Sequence, residues 1–430
     1  MNNSNAYFIS NVSVVDVERG CLVPGQDVRI AGEQIEAVGR HGSLGTAQGV
    51  QALAGEGLYL MPGLVDAHTH YFDAQCFGKA MIANGVTLVR DMGMPNEFIF
   101  KLREELRSGA VLGPELVTGG AILDGDPPLI PLISVGVKTP EEGRAAVRRQ
   151  AELGADFIKV YSSLAKEVFL AILDEAGKLG LKCVGHVPDT IYLEEAAAAG
   201  LHSCEHWFGF EKVIGKLLGD EVRLVYEGMG SRADYFQRLG EVSAGELEAF
   251  YRRMAASGMA VCPTVVTFKV GTQFQLYMTG SFPHSEIISE GVLGMWQMMW
   301  SGQADLADYI WRNWAQMVVG LNQAGVPLMV GTDLMLPGVL PGYAVHAEMA
   351  IWQEAGMPAA EVLCGATLTP ARVMGLEGRL GSVAAGKTAS LALVRGNPLE
   401  DVRHAQEIEA VFLRGHYIGR EELEGLVVGS

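Results

Sequence analysis

From residue 60 onward the chain alternates short apolar runs with helix-like stretches, and this alternation restricts the fold more than any other feature. The runs are 60–70, 85–91, 115–119, 156–162, 182–187, 202–207, 259–268 and 327–333. Helix-like stretches at 95–108, 140–153, 165–179, 193–199 and 244–256 separate them. Strands that are apolar on both faces belong in a parallel sheet covered by helices. Eight of them suggest an α/β fold of the closed (β/α)8 TIM-barrel type over residues 60–374. An open doubly wound sheet ranks second, because no GxGxxG opens a helix.

The two ends of the chain read differently. AYFISNVSVVDV and QDVRIAGEQIEAVG, within residues 6–55, show the period-two alternation and turn glycines of short antiparallel strands. LGSVAAGKTASLALVRGNPLEDV and IEAVFLRGHYI return to that pattern after residue 375. Segments 1–59 and 375–430 are therefore expected to pair into one small β-sandwich domain. Two connections, 208–258 and 269–326, far exceed the usual two to six residues of a βα loop. The second holds Trp296, Trp300, Trp311 and Trp314, four of the six tryptophans. Such a segment suits an extra packed helical layer, a hydrophobic lid or an oligomer interface, and a homo-oligomer is expected.

Composition narrows the function. The 430 residues carry 50 acidic against 32 basic side chains, a net charge of -18. That balance argues against nucleic acid or an anionic membrane as a partner. MNNSNAYFIS lacks a basic and then apolar leader, and no apolar run nears the roughly 18 residues of a membrane helix. The six cysteines are scattered without CxxC, which suits a reduced, cytoplasmic protein.

Barrel chemistry sits at the C-terminal ends of the strands, so the last residues of each run matter most. The first run ends in His68 and His70. In a strand these share a face, about 7 Å apart along the chain, and offer two imidazoles to one metal ion. Further runs supply Lys159, His186, His206 and Asp333. His202 has the parity of His206 and competes with it, but His206 lies nearer the strand end. Lys159 stands between Phe157–Ile158 and Val160–Tyr161, where a buried ammonium is costly. Carboxylation by CO2 would turn its nitrogen into an anionic carbamate able to bridge two metal ions. Tyr161 shares the face of Lys159 and is a candidate substrate contact. Trp207 follows His206 and would narrow the pocket, and His346 is a further candidate for the substrate side.

The motifs PGLVDAHTH at 62–70, DFIKVY at 156–161, GHVP at 185–188, AGLHSCEH at 199–206, GTD at 331–333 and GSVAAGKTASLALVRGNPLED at 381–401 run over nearly the whole chain. In this order they resemble the amidohydrolase superfamily, in the branch of imidazolonepropionases and metal-dependent prolidases. The resemblance implies a barrel with a terminal β-sandwich. It implies His68, His70 and Asp333 around the more buried metal, His186 and His206 around the other, and Lys159 bridging as a carbamate. Two divalent ions, zinc first among them, would then activate water, with Asp333 as general base. Departures concern the substrate. The GGH of prolidase-like members reads TGGA here, with Ala121 in the histidine's place, and the sixth strand ends in HW where HG is usual. GKTASL carries Ser390 where that motif usually has an acid. The expected reaction is hydrolysis of an amide, peptide or carbamate C–N bond in a small molecule with a bulky apolar part. Cleavage of lactones or phosphotriesters on the same two ions is the alternative. A mononuclear deaminase or cyclic amide hydrolase ranks lower, because no strand-end histidine opens an HxxE. A non-catalytic assembly protein ranks last, since such relatives have typically lost ligands.

Overall fold

The computed structural model describes residues 6–45, 49–225 and 232–428. The chain opens with β1 (Ala6–Asp16), β2 (Cys21–Ala31), β3 (Gln34–Arg40), β4 (Gln51–Ala54) and β5 (Tyr59–Pro62). β1, β2 and β3 pair antiparallel, whereas β4 and β5 both run parallel to β1. Parallel strands follow: β6 (Leu64–Thr69), β7 (Val86–Asp91) and β8 (Glu115–Thr118) in one sheet. A second sheet holds β9 (Ile122–Asp124), β10 (Ser134–Gly136), β11 (Ile158–Val160), β12 (Cys183–Gly185), β13 (Leu201–Glu205) and β14 (Ala260–Cys262). Near the C-terminus come β15 (Leu391–Val394), β16 (Ile408–Leu413) and β17 (His416–Gly419). β15 pairs antiparallel with β5, so the two ends of the chain share one eight-stranded sheet in the order β17-β16-β15-β5-β1-β2-β3, with β4 on β1. Its alternating residues bury Ile9, Val28, Ile30, Leu60, Leu391 and Phe412 in a core of their own.

Helices α1 (Ala74–Ala83), α2 (Asn96–Ser108), α3 (Pro140–Glu152), α4 (Lys166–Lys178), α5 (Leu193–Ala198), α6 (Phe210–Leu217) and α7 (Ala244–Ser257) lie between the parallel strands. Thr139 and Glu142 form a reciprocal capping box at the start of α3. The two parallel sheets meet where Asp156 N–H donates to Thr118 O at 2.9 Å. Residues 327–333 form no strand, yet bond on both sides. Met329 N–H donates to Val261 O of β14, and Ala67 N–H of β6 donates to Val330 O, both at 2.9 Å.

The run 259–268, expected as one strand, is split. β14 stops at Cys262, and α8 (Val265–Gly271) begins three residues later. Pro263 has no N–H for a ladder, and Thr264 takes a left-handed φ of 44°. The Glu348 carboxylate, on α12 (Tyr343–Glu354), then accepts from Val265 N–H and Val266 N–H and anchors the new helix. A continuous apolar run reads equally well as buried strand or buried helix, so these tertiary contacts decide it.

The aromatic segment forms α9 (Phe274–Tyr277), α10 (Glu290–Trp300) and α11 (Asp308–Gln323). Trp296 and Trp314 are buried and anchored. Trp296 Nε1–H donates to Met335 O and Trp314 Nε1–H to Pro263 O, both at 2.9 Å. Packing over the ends of β14 and of 327–333 accounts for these two rings. After α12 come α13 (Ala359–Gly365) and α14 (Leu368–Val373), and a final α15 (Arg420–Val428) packs on α1. Among the described residues no helix is long and apolar enough to cross a membrane.

The other insertion is held by buried charge. Arg232 donates to Asp189 at 2.8 Å and to Arg223 O at 2.7 Å. Lys212 on α6 is fully buried and donates to Pro188 O and Ile191 O. Beside it Glu211 is buried with one carboxylate oxygen lacking a hydrogen-bond partner among the described residues, and burial pushes its carboxyl up to about 7. Folding thus favours the protonated acid. That contribution is whole below the ordinary glutamate range and is lost as pH rises through about 7. We predict that Glu211→Gln stabilises the protein relative to the parent at pH 8 but not at pH 5, by on the order of 1–3 kcal/mol. Thermal melts of both proteins at the two pH values check this, and an equal difference at both would refute it.

Candidate metal centre

The strand-end residues expected from the sequence come together on one side of the parallel sheets. Asp333 is the hub. One of its oxygens lies 3.4 Å from both His68 Nε2 and His70 Nε2, and the other lies 3.8 Å from His206 Nε2. Ring centroids of His68 and His206 are 4.5 Å apart, and those of His186 and His206 are 5.0 Å apart. Lys159 Nζ is buried without a hydrogen-bond partner among the described residues, 5.8 Å from the Tyr161 ring. Two close approaches require glycine. A Cβ on Gly185, at φ 139°, would lie 2.1 Å from Val160 O and 3.1 Å from Lys159 Cδ. A Cβ on Gly331 would press into Cys262 Sγ at 2.4 Å and His68 Cβ at 2.9 Å.

Each of the four imidazoles is anchored through Nδ1. His68 Nδ1 lies 2.9 Å from Glu205 Oε2, and His70 Nδ1 lies 2.8 Å from Gly93 O. His186 Nδ1 lies 2.8 Å from Ser162 Oγ, and His206 Nδ1 lies 2.6 Å from Thr264 Oγ1. A ring held at Nδ1 presents Nε2, the arrangement that fixes the tautomer of a metal ligand. The His186 ring is also clamped between Tyr161 and Phe208, stacked at centroid distances of 4.0 and 4.1 Å.

Burial governs the charges. It drives His68 and His186 well below the ordinary histidine range, with Lys159 and neighbouring histidines adding to the effect. It pushes His206 down to about 4 against the pull of Asp333. His70 moves the other way. Burial opposes its charge, but Asp333 and Asp91 raise it above the usual value. Burial would lift the Asp333 carboxyl, yet His206, His70 and His68 hold it far below the carboxylate range. Burial lowers Lys159 to about 8, with Glu205 and Asp333 resisting. The cluster therefore offers mostly neutral imidazoles around one ionised carboxylate, with His68 Nε2 buried and lacking a hydrogen-bond partner among the described residues. This nitrogen and oxygen donor set fits zinc and similar divalent ions, and His68, His206 and Asp333 bring donor atoms within 4.8 Å of one another.

Other expected residues fall elsewhere. His202 Nε2 lies 3.1 Å from Val373 O, outside the cluster. Trp207 does not line the histidines. It stacks between Phe236 and Phe268 at 4.8 and 4.3 Å, and half-buried Phe208 takes the place beside His186. His346 is set against the turn between α1 and β7, with Nε2 2.9 Å from Asn84 O. That turn is at the N-terminal edge of the sheet, opposite the histidines. His346 is buried there and is not brought to the histidine cluster. Ala121 is buried, its N–H donating to Asn96 Oδ1 at 2.7 Å.

Sequence reasoning missed the layer beneath. Arg90, fully buried, donates to both oxygens of Glu205 at 2.9 Å, to Ser203 Oγ at 3.1 Å and to Ala67 O at 2.6 Å. Asp66 accepts from Thr332 Oγ1–H at 2.6 Å and Thr332 N–H at 3.0 Å, tying the approach to Asp333 onto β6. Arg90 carried the signal that singled out Lys159, a cation inside an apolar strand.

Comparison with known proteins agrees with this architecture. Ochratoxinase of Aspergillus niger is 23% identical over 414 residues, covering 82% of this chain and 73% of the relative. Bottromycin amidohydrolase superposes with a TM-score of 0.79 at 22% identity, over 98% of this chain and 89% of its own. A prolidase solved with N-methylphosphonate-L-proline superposes with a TM-score of 0.72 at 22% identity, over 96% of this chain and 100% of its own. The profile of the Amidohydrolase family matches residues 59–229 and 281–418, more than half of the chain, and the protein therefore belongs to the amidohydrolase family.

Proposed function

We propose that this chain is a metal-dependent hydrolase of an amide, peptide or carbamate C–N bond. The observation that carries the reading is the convergence of four Nδ1-anchored histidines and Asp333 around a buried lysine amine. The names of its relatives, ochratoxinase, prolidase and bottromycin amidohydrolase, support the bond type. We infer further that the two parallel sheets are arcs of one (β/α)8 barrel over residues 60–374, and that 1–59 with 375–430 form a β-sandwich domain. Bonding of 327–333 to both β14 and β6 supports closure.

In this reading His68, His70 and Asp333 would hold one divalent ion, zinc first among candidates, and His186 and His206 a second, with Lys159, carboxylated by CO2, as a shared anionic ligand. Its amine suits that role because burial lowers it to about 8, and carboxylation requires the neutral amine. Bound there, such ions would lower the pKa of a water and polarise the scissile carbonyl. The residues do the rest. The Nδ1 anchors fix the four rings, with the Nε2 atoms of His68, His70 and His206 facing Asp333, so little reorganisation accompanies the reaction. Asp333, ionised and central, accepts the proton of the attacking water and returns it to the leaving amine. Tyr161 and Phe208 clamp His186, and the half-buried Phe208 offers an apolar wall to a bulky substrate group. We propose a small-molecule substrate, a cytoplasmic setting and a homo-oligomer. Met298, 77% exposed on the aromatic insertion, with Met299 and Leu306, supports the last point. A monomer by light scattering would dismiss it.

Protein grown with bicarbonate should hold two metal equivalents per chain, falling to one or fewer in Lys159→Ala. One equivalent unaffected by the substitution would reduce Lys159 to a structural residue and favour a mononuclear site. Asp333→Asn should lower turnover of a responsive dipeptide, N-acyl amino acid or carbamate by about 10²–10⁴. Steady-state kinetics on the metal-loaded protein measures this, and unchanged kcat would remove Asp333 from proton transfer.

A further inference from the structure

Beneath the proposed centre lies a second set of metal-type donors that shares one of its histidines. His68, Glu205 and Cys262 bring a ring nitrogen, a carboxylate oxygen and a sulfur within 4.8 Å of one another. All three residues are fully buried. Imidazole, carboxylate and thiolate are the ligand types of zinc sites, and nothing in the reaction proposed above uses Cys262.

What closes this set is Arg90. Glu205 Oε1 accepts from Arg90 at 2.9 Å and from Ser203 Oγ–H at 2.6 Å. Oε2 accepts from Arg90 at 2.9 Å and lies 2.9 Å from His68 Nδ1. The guanidinium compensates the buried carboxylate as a bound cation would, and arginine cannot shed its charge. With Glu205 ionised and its other contacts filled, the hydrogen bond to His68 places the ring proton on Nδ1. The lone pair is then on Nε2, the atom 3.4 Å from Asp333. We propose that Arg90 decides which nitrogen of His68 is offered to a metal ion, by keeping the His68–Glu205–Cys262 set closed.

Without Arg90 the alternatives exchange. A divalent ion is bound by the Glu205 carboxylate, the Cys262 sulfur and His68 Nδ1. The thiol proton passes to solvent, and the ring proton moves from Nδ1 to Nε2. The Nε2 lone pair is thereby lost to the upper centre, so the two sites exclude each other. Arg90 and Glu205 are positioning residues acting through His68. This inference rests on the reading of the Nε2 side as the working metal centre.

The test is cobalt(II) reconstitution of the metal-stripped full chain, as wild type, Arg90→Met and Arg90→Met/Cys262→Ala. Wild type should bind cobalt without a near-ultraviolet thiolate-to-cobalt charge-transfer band. Arg90→Met should acquire the band, and the double variant should lose it. Cobalt affinity of the Nε2 side, titrated against a chromophoric chelator in the double variant, should fall about 10–100-fold. Arg90→Met binding cobalt like wild type with no such band would overturn the proposal, as would a band surviving in the double variant. Should Arg90→Met fail to fold, nitrogen-15 NMR of the metal-free wild type decides. The His68 signal, assigned by its absence in His68→Gln, should report the Nδ1–H tautomer, and the Nε2–H tautomer would refute the inference. A wild type that takes up no cobalt at all would instead sink the metal-hydrolase reading, and the two failures are thus separable.

Discussion

The Glu205 carboxylate, buried without access to water, is the contact on which the rest of the site depends. It gathers Arg90 from β7, Ser203 from its own strand and His68 from β6. β6 and β13 belong to different parallel sheets, so these bonds tie one sheet to the other. Burying such a pair is expensive, and only complete hydrogen bonding recovers the cost. Removing one partner typically costs about 3–5 kcal/mol because the other charge is left uncompensated. Here each carboxylate oxygen is in contact with two donor groups, and Arg90 spends further N–H groups on Ala67 O and Ser203 Oγ. The pair therefore specifies relative strand positions as much as it stabilises them.

Above that layer the four histidines are held in different ways. His70 is fixed by a backbone carbonyl, His186 and His206 by hydroxyls, and His68 by a charged carboxylate. His68 is thus the ring with the most electron-rich support. Strain accompanies the design. His206, Thr264 and Asp333 have φ of 59°, 44° and 54°, conformations that cost of order 1–3 kcal/mol each for residues other than glycine. They occur where strands or strand-like segments end, and they turn side chains inward that an extended backbone would send elsewhere.

Period-two alternation describes the stretches where the backbone stays extended: His68 and His70 both reach Asp333, and Lys159 lies beside the Tyr161 ring. It could not separate His202 from His206, which have equal parity. The left-handed turn at His206 breaks the parity, sending its ring to Asp333 while His202 points to Val373. The same turn explains why Phe208 and not Trp207 stands beside His186. Arg90 was legible by the rule that marked Lys159, but its partner Glu205 adjoins His206 and carries no periodic signal of its own.

The sequence by itself determined the alternation of parallel strands with helices and the β-rich character of both chain ends, though not the strands β9 and β10 or the loss of strand form at 327–333. Those features follow from local periodicity and from the rule that apolar strands bury both faces. Only the tertiary structure decided where strand 259–268 becomes helix, which nitrogen each imidazole presents, and which charges lie beneath the site. Each of these is settled by one hydrogen bond or one left-handed φ between residues far apart in the chain. A linear pattern carries no record of such contacts, because the free energy that selects them exists only once the partners are buried together.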